Sequence, residues 1–232
     1  VYSKENCLMI GNTRWHWASK MKTQWEYFHT SPNPIEFKDK DYSKLSWASV
    51  GPIPENIKLC PSKEISLNNI PLINLPSNLG IDRALASWSA FTKQSNSKNN
   101  NQGLVVIDAG TILSVTKITN KGEFGGGQLI SGLRLQLSSM GNGAMNLETP
   151  IIKKIPIETF QHETNNAMIK GSINGLVGLI LQIHEKAKLP IWLCGGDAPI
   201  ILNELKNKSI DINHSPNLVL EGMIDIKRKL NL

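Results

Sequence analysis

The sequence predicts an α/β protein and suggests two related halves. Short apolar runs that stop at Gly11 and at Gly110 are typical of buried strands that lead into turns. Between such runs lie longer segments with the apolar spacing of helices. The pattern of strand, Gly/Thr turn and strand occurs once near Met9 and again near Asp108. This repetition suggests a duplicated domain with a cleft between the halves, although two unrelated hairpins explain it equally well.

The first half has mainly strand patterns and one helix pattern. Apolar runs bounded by Gly, Pro or Asn predict strands at residues 7–10, 14–18, 45–50 and 57–59. Residues 82–92 have helical spacing, with Leu85, Trp88 and Phe91 on one side. Residues 94–103 are rich in Ser, Asn and Lys, which is typical of a flexible loop. We therefore place a domain boundary there, with halves at 1–103 and 104–232.

The second half alternates strands with helices. Strands are predicted at residues 104–107, 112–118 and 190–193, and Gly125 to Gly127 are interpreted as a loop with exposed backbone. Thr164 has the character of an N-cap for a helix that runs to about residue 188. A shorter helix is predicted near residues 200–206. The core stripe of the long helix is formed by Ile169, Ile173, Leu176, Val177 and Ile180.

Composition excludes several classes of protein. Of the 232 residues 40% are hydrophobic, but no apolar run approaches the ~18 residues of a membrane span. The N-terminus lacks a signal-peptide pattern, so we expect a cytoplasmic, soluble protein without a membrane partner. Because Val1 is not Met, we expect that a few residues precede it. Three scattered cysteines argue against disulfides and zinc, and the dispersed lysines behind a net charge of +6 argue against nucleic-acid binding.

Several glycine turns could bind phosphate. Small residues let backbone N–H groups approach phosphate oxygens, and the Gly11 to Thr13 turn and the Gly110 to Thr111 turn add hydroxyl groups. Gly195 to Asp197 precede a predicted helix and could seat a nucleotide at its N-terminus, or could form only a tight turn. No Walker A motif is present, and no GxGxxG follows a strand, so P-loop and Rossmann folds are excluded.

Gly80, Ile81, Asp82 and Arg83 form the most informative polar cluster. Arg83 presents a planar fork that suits a substrate carboxylate, and Asp82 could accept a proton from an attacking hydroxyl. Asp82 could equally serve as a helix cap, with Arg83 on the surface.

Taken in order, these motifs resemble those of type III pantothenate kinases. The resemblance rests on Gly11-Asn12-Thr13, Gly80 to Arg83, Asp108 to Thr111, Gly126-Gly127, Thr164 with Ala167 and Gly171, Gly195 to Asp197, and Leu218 to Gly222. It extends from about residue 7 to residue 224. It implies the actin-like ATPase fold, with two related ribonuclease H-like halves around an ATP cleft, and a homodimer. It also implies that the enzyme uses ATP with Mg²⁺ to phosphorylate pantothenate, the first step of coenzyme A biosynthesis, and needs K⁺ or NH₄⁺.

The resemblance assigns roles by matched position. Asp82 is implied as the proton acceptor, Thr111 as an ATP contact and Asp108 as the ligand of the monovalent cation. The implied pantothenate site comprises Gly80, Ile81, Asp82, Arg83 and Thr164. The implied first ATP-binding segment comprises Met9, Ile10, Gly11, Asn12, Thr13, Arg14, Trp15 and His16.

The chain departs from the family pattern at several positions. Met9 stands where the family usually has an Asp near the metal-bound phosphates, and Ile73 stands where a Tyr is common. The substitution at Met9 supports an alternative, a nucleotide-binding regulator that has lost its activity. Ile73 leaves room for another, a kinase that acts on a different small hydroxy acid or sugar. The retention of Asp82, Arg83, Asp108 and Thr111 favours the pantothenate kinase.

Overall fold

Two separate β-sheets form the framework of the protein. The computed structural model describes residues 5–33, 44–96 and 102–232. The first sheet has the order β3-β2-β1-β4. Its strands are β1 (Asn6–Ile10), β2 (Trp15–Met21), β3 (Gln24–Thr30) and β4 (Leu45–Ser49). The second sheet has the order β7-β6-β5-β8-β9. Its strands are β5 (Leu104–Ala109), β6 (Ile112–Ile118), β7 (Phe124–Ser131), β8 (Ile191–Cys194) and β9 (Ile212–His214).

The two sheets share a local topology, as expected for a duplicated fold. In each sheet a turn at a Gly joins the first strand, β1 or β5, to the next strand in the chain, which is also its neighbour. On its other side each first strand pairs in parallel with a later strand, β4 beside β1 and β8 beside β5. The internal repetition of strand, turn and strand is therefore also a repetition of strand order.

Within the described residues, five α-helices accompany the sheets. They are α1 (Ile81–Ser95), α2 (Leu133–Gly143), α3 (Thr164–Ala187), α4 (Ala198–Leu205) and α5 (Leu218–Leu230). All five residues of the predicted core stripe in α3 are buried, which confirms its periodicity. None of the helices in the described ranges combines the length and apolarity of a bilayer span.

The chain forms two packing units that are not continuous in sequence. Unit 1 comprises Val1–Asn101, Ile118–Gly125 and Asn217–Leu232, and unit 2 comprises Gln102–Lys117 and Gly126–Pro216. The tip of the β6–β7 hairpin belongs to unit 1 because Ile73 exchanges two backbone hydrogen bonds with it. The predicted halves, 1–103 and 104–232, describe the two copies of a duplicated domain and not packing units. Their boundary stays a prediction.

In unit 1 the C-terminal helix α5 packs closely on α1. Gly222 permits this, because a methyl group there would lie 2.3 Å from the carbonyl oxygen of Leu85. Trp88 donates from Nε1 to Asp225 Oδ2 at 2.5 Å, and Lys93 pairs with Glu221 at 3.0 Å. The helix that carries Asp82 is therefore held by residues about 140 positions later in the chain.

Three local predictions are wrong. Residues 57–59 form no strand; they lie between turns, with Ile57 packed on the apolar face of the first sheet. Gly125 to Gly127 belong to strand β7 and not to a loop. The N-cap of α3 is Glu163, with no side-chain cap bond, and Thr164 is the first helical residue. The predicted loop at 94–103 begins later, since α1 continues to Ser95; residues 97–101 lie outside the described residues.

Candidate active site

The turn after β1 is tight and packs against the chain that follows β4. The amide of Gly11 donates to the carbonyl of Arg14 at 3.0 Å, and a methyl group on Gly11 would lie 2.7 Å from that oxygen. A methyl group on Gly51 would lie 2.3 Å from the carbonyl oxygen of Gly11. Both positions therefore require glycine for space. Gly51 was not predicted, although it follows an apolar strand just as Gly11 does.

Only part of the predicted ATP segment is available to a ligand. Asn12, Thr13 and Arg14 are exposed, and Gly11 is partly exposed. The buried members of the segment belong to the sheet and its core: Met9, Ile10 and Trp15. Met9 in particular is 2% exposed and lies between His16 of β2 and Ala48 of β4 in the strand register. The side chains of this segment that could touch a phosphate are thus those of the turn and that of the partly exposed His16.

A pair of histidines lies beside this turn. His16 of β2 is opposite His29 of β3, and their Nδ1 atoms are 2.8 Å apart. Burial, with the nearby charges of His29 and Arg14, lowers the pKa of His16 to about 4. Burial and Arg14 also lower the pKa of His29. His29 was not predicted as a site residue, since no local motif marks it.

Asp82 occupies a confined position at the start of α1. Its Oδ1 accepts a hydrogen bond from the amide of Arg83 at 2.8 Å. Burial raises the pKa of Asp82 above its ordinary value, against the opposing effects of this amide and of the Arg83 charge. Burial also lowers the pKa of Arg83, which is partly exposed, although the charge of Asp82 opposes that shift. A carboxylate that is held in place and has a raised pKa suits a proton acceptor.

The Gly11 turn and the start of α1 meet through Val50. Its amide donates to the carbonyl of Ile10 at 3.0 Å. A methyl group on Gly80 would lie 3.7 Å from Val50 Cγ1. The structure therefore brings the predicted phosphate turn and the predicted Gly80 to Arg83 cluster to the same end of the first sheet, within unit 1.

In unit 2 the carboxylate of Asp108 lies over two glycines. A methyl group on Gly195 would lie 2.5 Å from Asp108 Oδ1, and one on Gly110 would lie 3.6 Å from the same atom. Gly195 also has a φ of +94°, a conformation that favours glycine. Asp108 is partly exposed to solvent, and Thr111 is exposed. The Asp108 carboxylate thus packs against the backbone of Gly195, where a side chain would collide with it.

Two further residues of unit 2 surround the Gly110 turn and were not predicted. A methyl group on Gly132 would lie 2.1 Å from the carbonyl oxygen of Gly110, so this position also requires glycine. Asp197 donates from its amide to the carbonyl of Ala109 at 3.0 Å, and its carboxylate lies 3.5 Å from Nε of Arg134. Gly195 and Asp197 were noted as a possible nucleotide seat, but Gly132 and Arg134 carried no signal of their own.

Thr164 is exposed at the beginning of α3 in unit 2. Its assignment to the pantothenate site stays a prediction, as do the other assigned roles. Across the described ranges, no group of three or more His, Cys, Asp or Glu side chains could hold a metal ion.

Solved structures with low sequence identity share the fold. A Campylobacter jejuni protein described as a Baf family transcriptional activator aligns with a TM-score of 0.66 at 20% identity and covers 98% of this chain and 100% of its own. The activator of 2-hydroxyisocaproyl-CoA dehydratase from Clostridium difficile, with bound ADPNP, aligns with a TM-score of 0.51 at 11% identity over 99% and 97%. These likenesses confirm the predicted actin-like ATPase fold class.

Sequence comparison gives the family. The profile described as type III pantothenate kinase matches residues 57–186. The type III pantothenate kinase of Synechococcus elongatus is 27% identical over 93% of this chain and 93% of its own. That of Thermosynechococcus vestitus is 30% identical over 86% and 80%. With its motifs, topology and full-length similarity in agreement, the chain belongs to the type III pantothenate kinase family.

Proposed function

We propose that this enzyme transfers the γ-phosphoryl group of ATP to the primary hydroxyl of pantothenate, with Asp82 as the proton acceptor. The observation that carries the proposal is the position of Asp82, in the first turn of α1 and at the same end of the first sheet as the Gly11 turn. The product, 4′-phosphopantothenate, leads to coenzyme A.

The proposed transfer is an in-line displacement. The hydroxyl oxygen of pantothenate forms a bond to the γ-phosphorus while the bond from that phosphorus to the β,γ-bridging oxygen breaks, which releases ADP. The hydroxyl proton passes to the Asp82 carboxylate. Catalysis of this kind depends mainly on positioning and on charge stabilisation. The hydrogen bond that the backbone amide of Arg83 donates to Asp82 Oδ1 holds the proposed acceptor in position.

Arg83 is the proposed partner of the pantothenate carboxylate. Its guanidinium is partly exposed and follows Asp82 directly, so one substrate could engage both side chains. Arg forms planar, bidentate bonds with carboxylates. Gly80, Ile81 and Thr164 complete the proposed pantothenate site, in which Ile81 is buried and serves to anchor the helix start.

The Gly11 turn is the proposed site for the phosphates of ATP. Gly11 shapes the turn through its hydrogen bond to Arg14. Asn12, Thr13 and Arg14 offer backbone amides, a hydroxyl and a positive charge at exposed positions. Thr111 is proposed as a further ATP contact. Mg²⁺ commonly binds through substrate phosphates and one or two carboxylates, so the proposed Mg²⁺ would enter the site together with ATP. When bound, Mg²⁺ would neutralise charge on the phosphates.

Asp108 is the proposed ligand of K⁺ or NH₄⁺. The residues fit such an ion, because the Asp108 carboxylate is partly exposed and lies beside the backbone of Gly110 and Gly195. The oxygen atoms of a carboxylate suit a hard cation. The ion would add positive charge near the Gly110 to Thr111 turn. We also propose that the enzyme acts in the cytoplasm as a homodimer, without nucleic-acid or membrane partners.

An ADP-release assay tests the proposed function. We expect release of ADP that depends on both Mg²⁺ and pantothenate and that K⁺ stimulates. ADP release that is the same without pantothenate would refute the substrate, and a sugar or another hydroxy acid would then be tested in its place. If no ATP turnover is detected with any cation, the result would favour the alternative of a nucleotide-binding regulator without catalytic activity.

A further inference from the structure

His16 contacts two different neighbours through its two ring nitrogens. Nδ1 lies 2.8 Å from Nδ1 of His29, which is the residue directly opposite on β3. Nε2 faces the Gly11 turn, because a methyl group on Gly11 would lie 3.6 Å from it. The ring therefore links the edge strand β3 to the turn after β1.

The contact between the two Nδ1 atoms restricts the protonation of both rings. A hydrogen bond between them requires one nitrogen to donate and the other to accept. The pKa of His16, lowered to about 4 by burial and the charges of His29 and Arg14, keeps its ring neutral near pH 7. A neutral imidazole carries one N–H. When Nδ1 of His16 accepts from His29, the proton of His16 must be on Nε2, the nitrogen that faces the turn.

We propose that His16 donates a hydrogen bond from Nε2 to a phosphate oxygen of ATP, and that His29 is the positioning residue that fixes this tautomer. The inference rests on the proposed function, because it takes the Gly11 turn as the phosphate site. The opposite tautomer would direct a lone pair at the anion, so bound phosphate favours the tautomer in which Nδ1 of His16 accepts the hydrogen bond from His29. Arg14 contributes a positive charge at the turn, whereas His16 contributes a directional hydrogen bond to the phosphate.

Paired amide substitutions separate the two roles of His16. An Asn side chain reaches about as far as Nδ1, so His16→Asn keeps a partner for His29 and removes the donor toward the turn. A Gln side chain reaches about as far as Nε2, so His16→Gln keeps that donor. We expect the KM for ATP to rise about tenfold in His16→Asn, the typical effect of one lost hydrogen bond to a charged group, and to rise less in His16→Gln. The value of kcat should change less than KM in both.

Matched variants of His29 test the positioning role. His29→Leu removes the donor to His16, and His29→Asn retains an amide donor near the same place. We expect the KM for ATP to rise about threefold in His29→Leu, since part of the population then has the wrong tautomer, and to stay near the wild-type value in His29→Asn. In a His16→Asn background, His29→Leu should not raise the KM further. Equal KM values in His16→Asn and wild type would overturn the proposal.

Imidazole ¹⁵N chemical shifts provide a readout that is independent of turnover. We expect the wild-type His16 ring to show a protonated Nε2 and an unprotonated Nδ1, and His29→Leu to show a mixture. Addition of Mg²⁺ with AMPPNP should shift the Nε2 resonance. An inactive wild type that still shows this shift would refute the proposed function and support the His16 contact. An active wild type whose His16 resonances ignore AMPPNP would refute the contact and leave the function in place.

Discussion

The carboxylate of Asp82 occupies the space that a side chain at position 80 would need. A methyl group on Gly80 would lie 2.5 Å from Asp82 Oδ1. The φ of Gly80 is −58°, which any residue can adopt, so this position requires glycine for space and not for conformation. The absence of a side chain at Gly80 therefore leaves the space that the Asp82 carboxylate occupies.

Gly80→Ala should move the Asp82 carboxylate without changing its chemistry. We expect kcat to fall by about 10-fold to 100-fold, because small displacements of a reacting group are costly. Steady-state kinetics with ATP and pantothenate measure the effect. Gly178→Ala is the matched control, since nothing lies within 4 Å of its added methyl group. The control should keep full activity and gain about 0.5–1 kcal/mol of stability from the helix interior. Normal kcat in Gly80→Ala would mean that the position of Asp82 is not critical.

Asp82→Asn should remove the proposed proton acceptor while the side chain keeps its size. We expect kcat to fall by about 100-fold or more. Asp211→Asn, an exposed change of the same chemistry, should leave kcat unaltered. In the wild type kcat should fall as the pH is lowered. The midpoint of this fall should lie above the ordinary Asp pKa, because burial raises the pKa of Asp82. Near-normal kcat in Asp82→Asn would reassign the base, with Asp108 as the next candidate.

The same substitution should stabilise the protein at neutral pH. Burial raises the pKa of Asp82 in the folded state, so folding favours the protonated carboxyl group and the ionised form reduces stability. We expect the Tm of Asp82→Asn to exceed that of the wild type at pH 7. The difference should shrink as the pH falls through the raised pKa and disappear below 3.8, the unshifted value. A lower Tm for Asp82→Asn at pH 7 would indicate that the ionised carboxylate stabilises the start of α1.

Asp108→Ala should abolish the proposed activation of the enzyme by K⁺. The carboxylate supplies a charge that the surrounding backbone carbonyl groups lack. Titration of KCl against NaCl at constant ionic strength separates specific activation from screening. Asp211→Ala is the control for loss of a surface carboxylate. K⁺ activation that persists in Asp108→Ala would show that the ion binds elsewhere, or that Asp108 serves Mg²⁺.

Met9→Asp introduces a carboxylate at the position where the family resemblance implies one, but the structure predicts a loss of stability. Met9 is 2% exposed, and we expect a buried carboxylate there to destabilise the fold by about 3 kcal/mol. His16 lies opposite in the β1–β2 pair, so its pKa should rise. Thermal melts with and without Mg-ATP, together with an NMR titration of His16, measure both effects. A larger ligand-induced increase in Tm would instead support a metal-binding role for position 9.

Strong periodic patterns in the sequence predicted most elements. The apolar runs before Gly11, Gly110 and Gly195 became the strands β1, β5 and β8, and the long stripe from Ile169 to Ile180 became the buried face of α3. Patterns that are weak or mixed misled the prediction. Strand β3 alternates partly buried and exposed residues such as Trp25 and Glu26, and β7 contains three glycines, so neither resembles an apolar run. Helices α2 and α5 were not predicted as helices at all.

The sequence by itself determined the family and the chemical character of the site. The order of the glycine turns and of the acidic residues Asp82 and Asp108 can be read directly from the sequence, without a structure. The tertiary structure alone decided which residues meet: Gly51 with Gly11, Val50 with Gly80, and His16 with His29. The physical reason is that strand register and helix packing fix these distances. Both depend on contacts between residues far apart in the chain, which a local pattern does not encode.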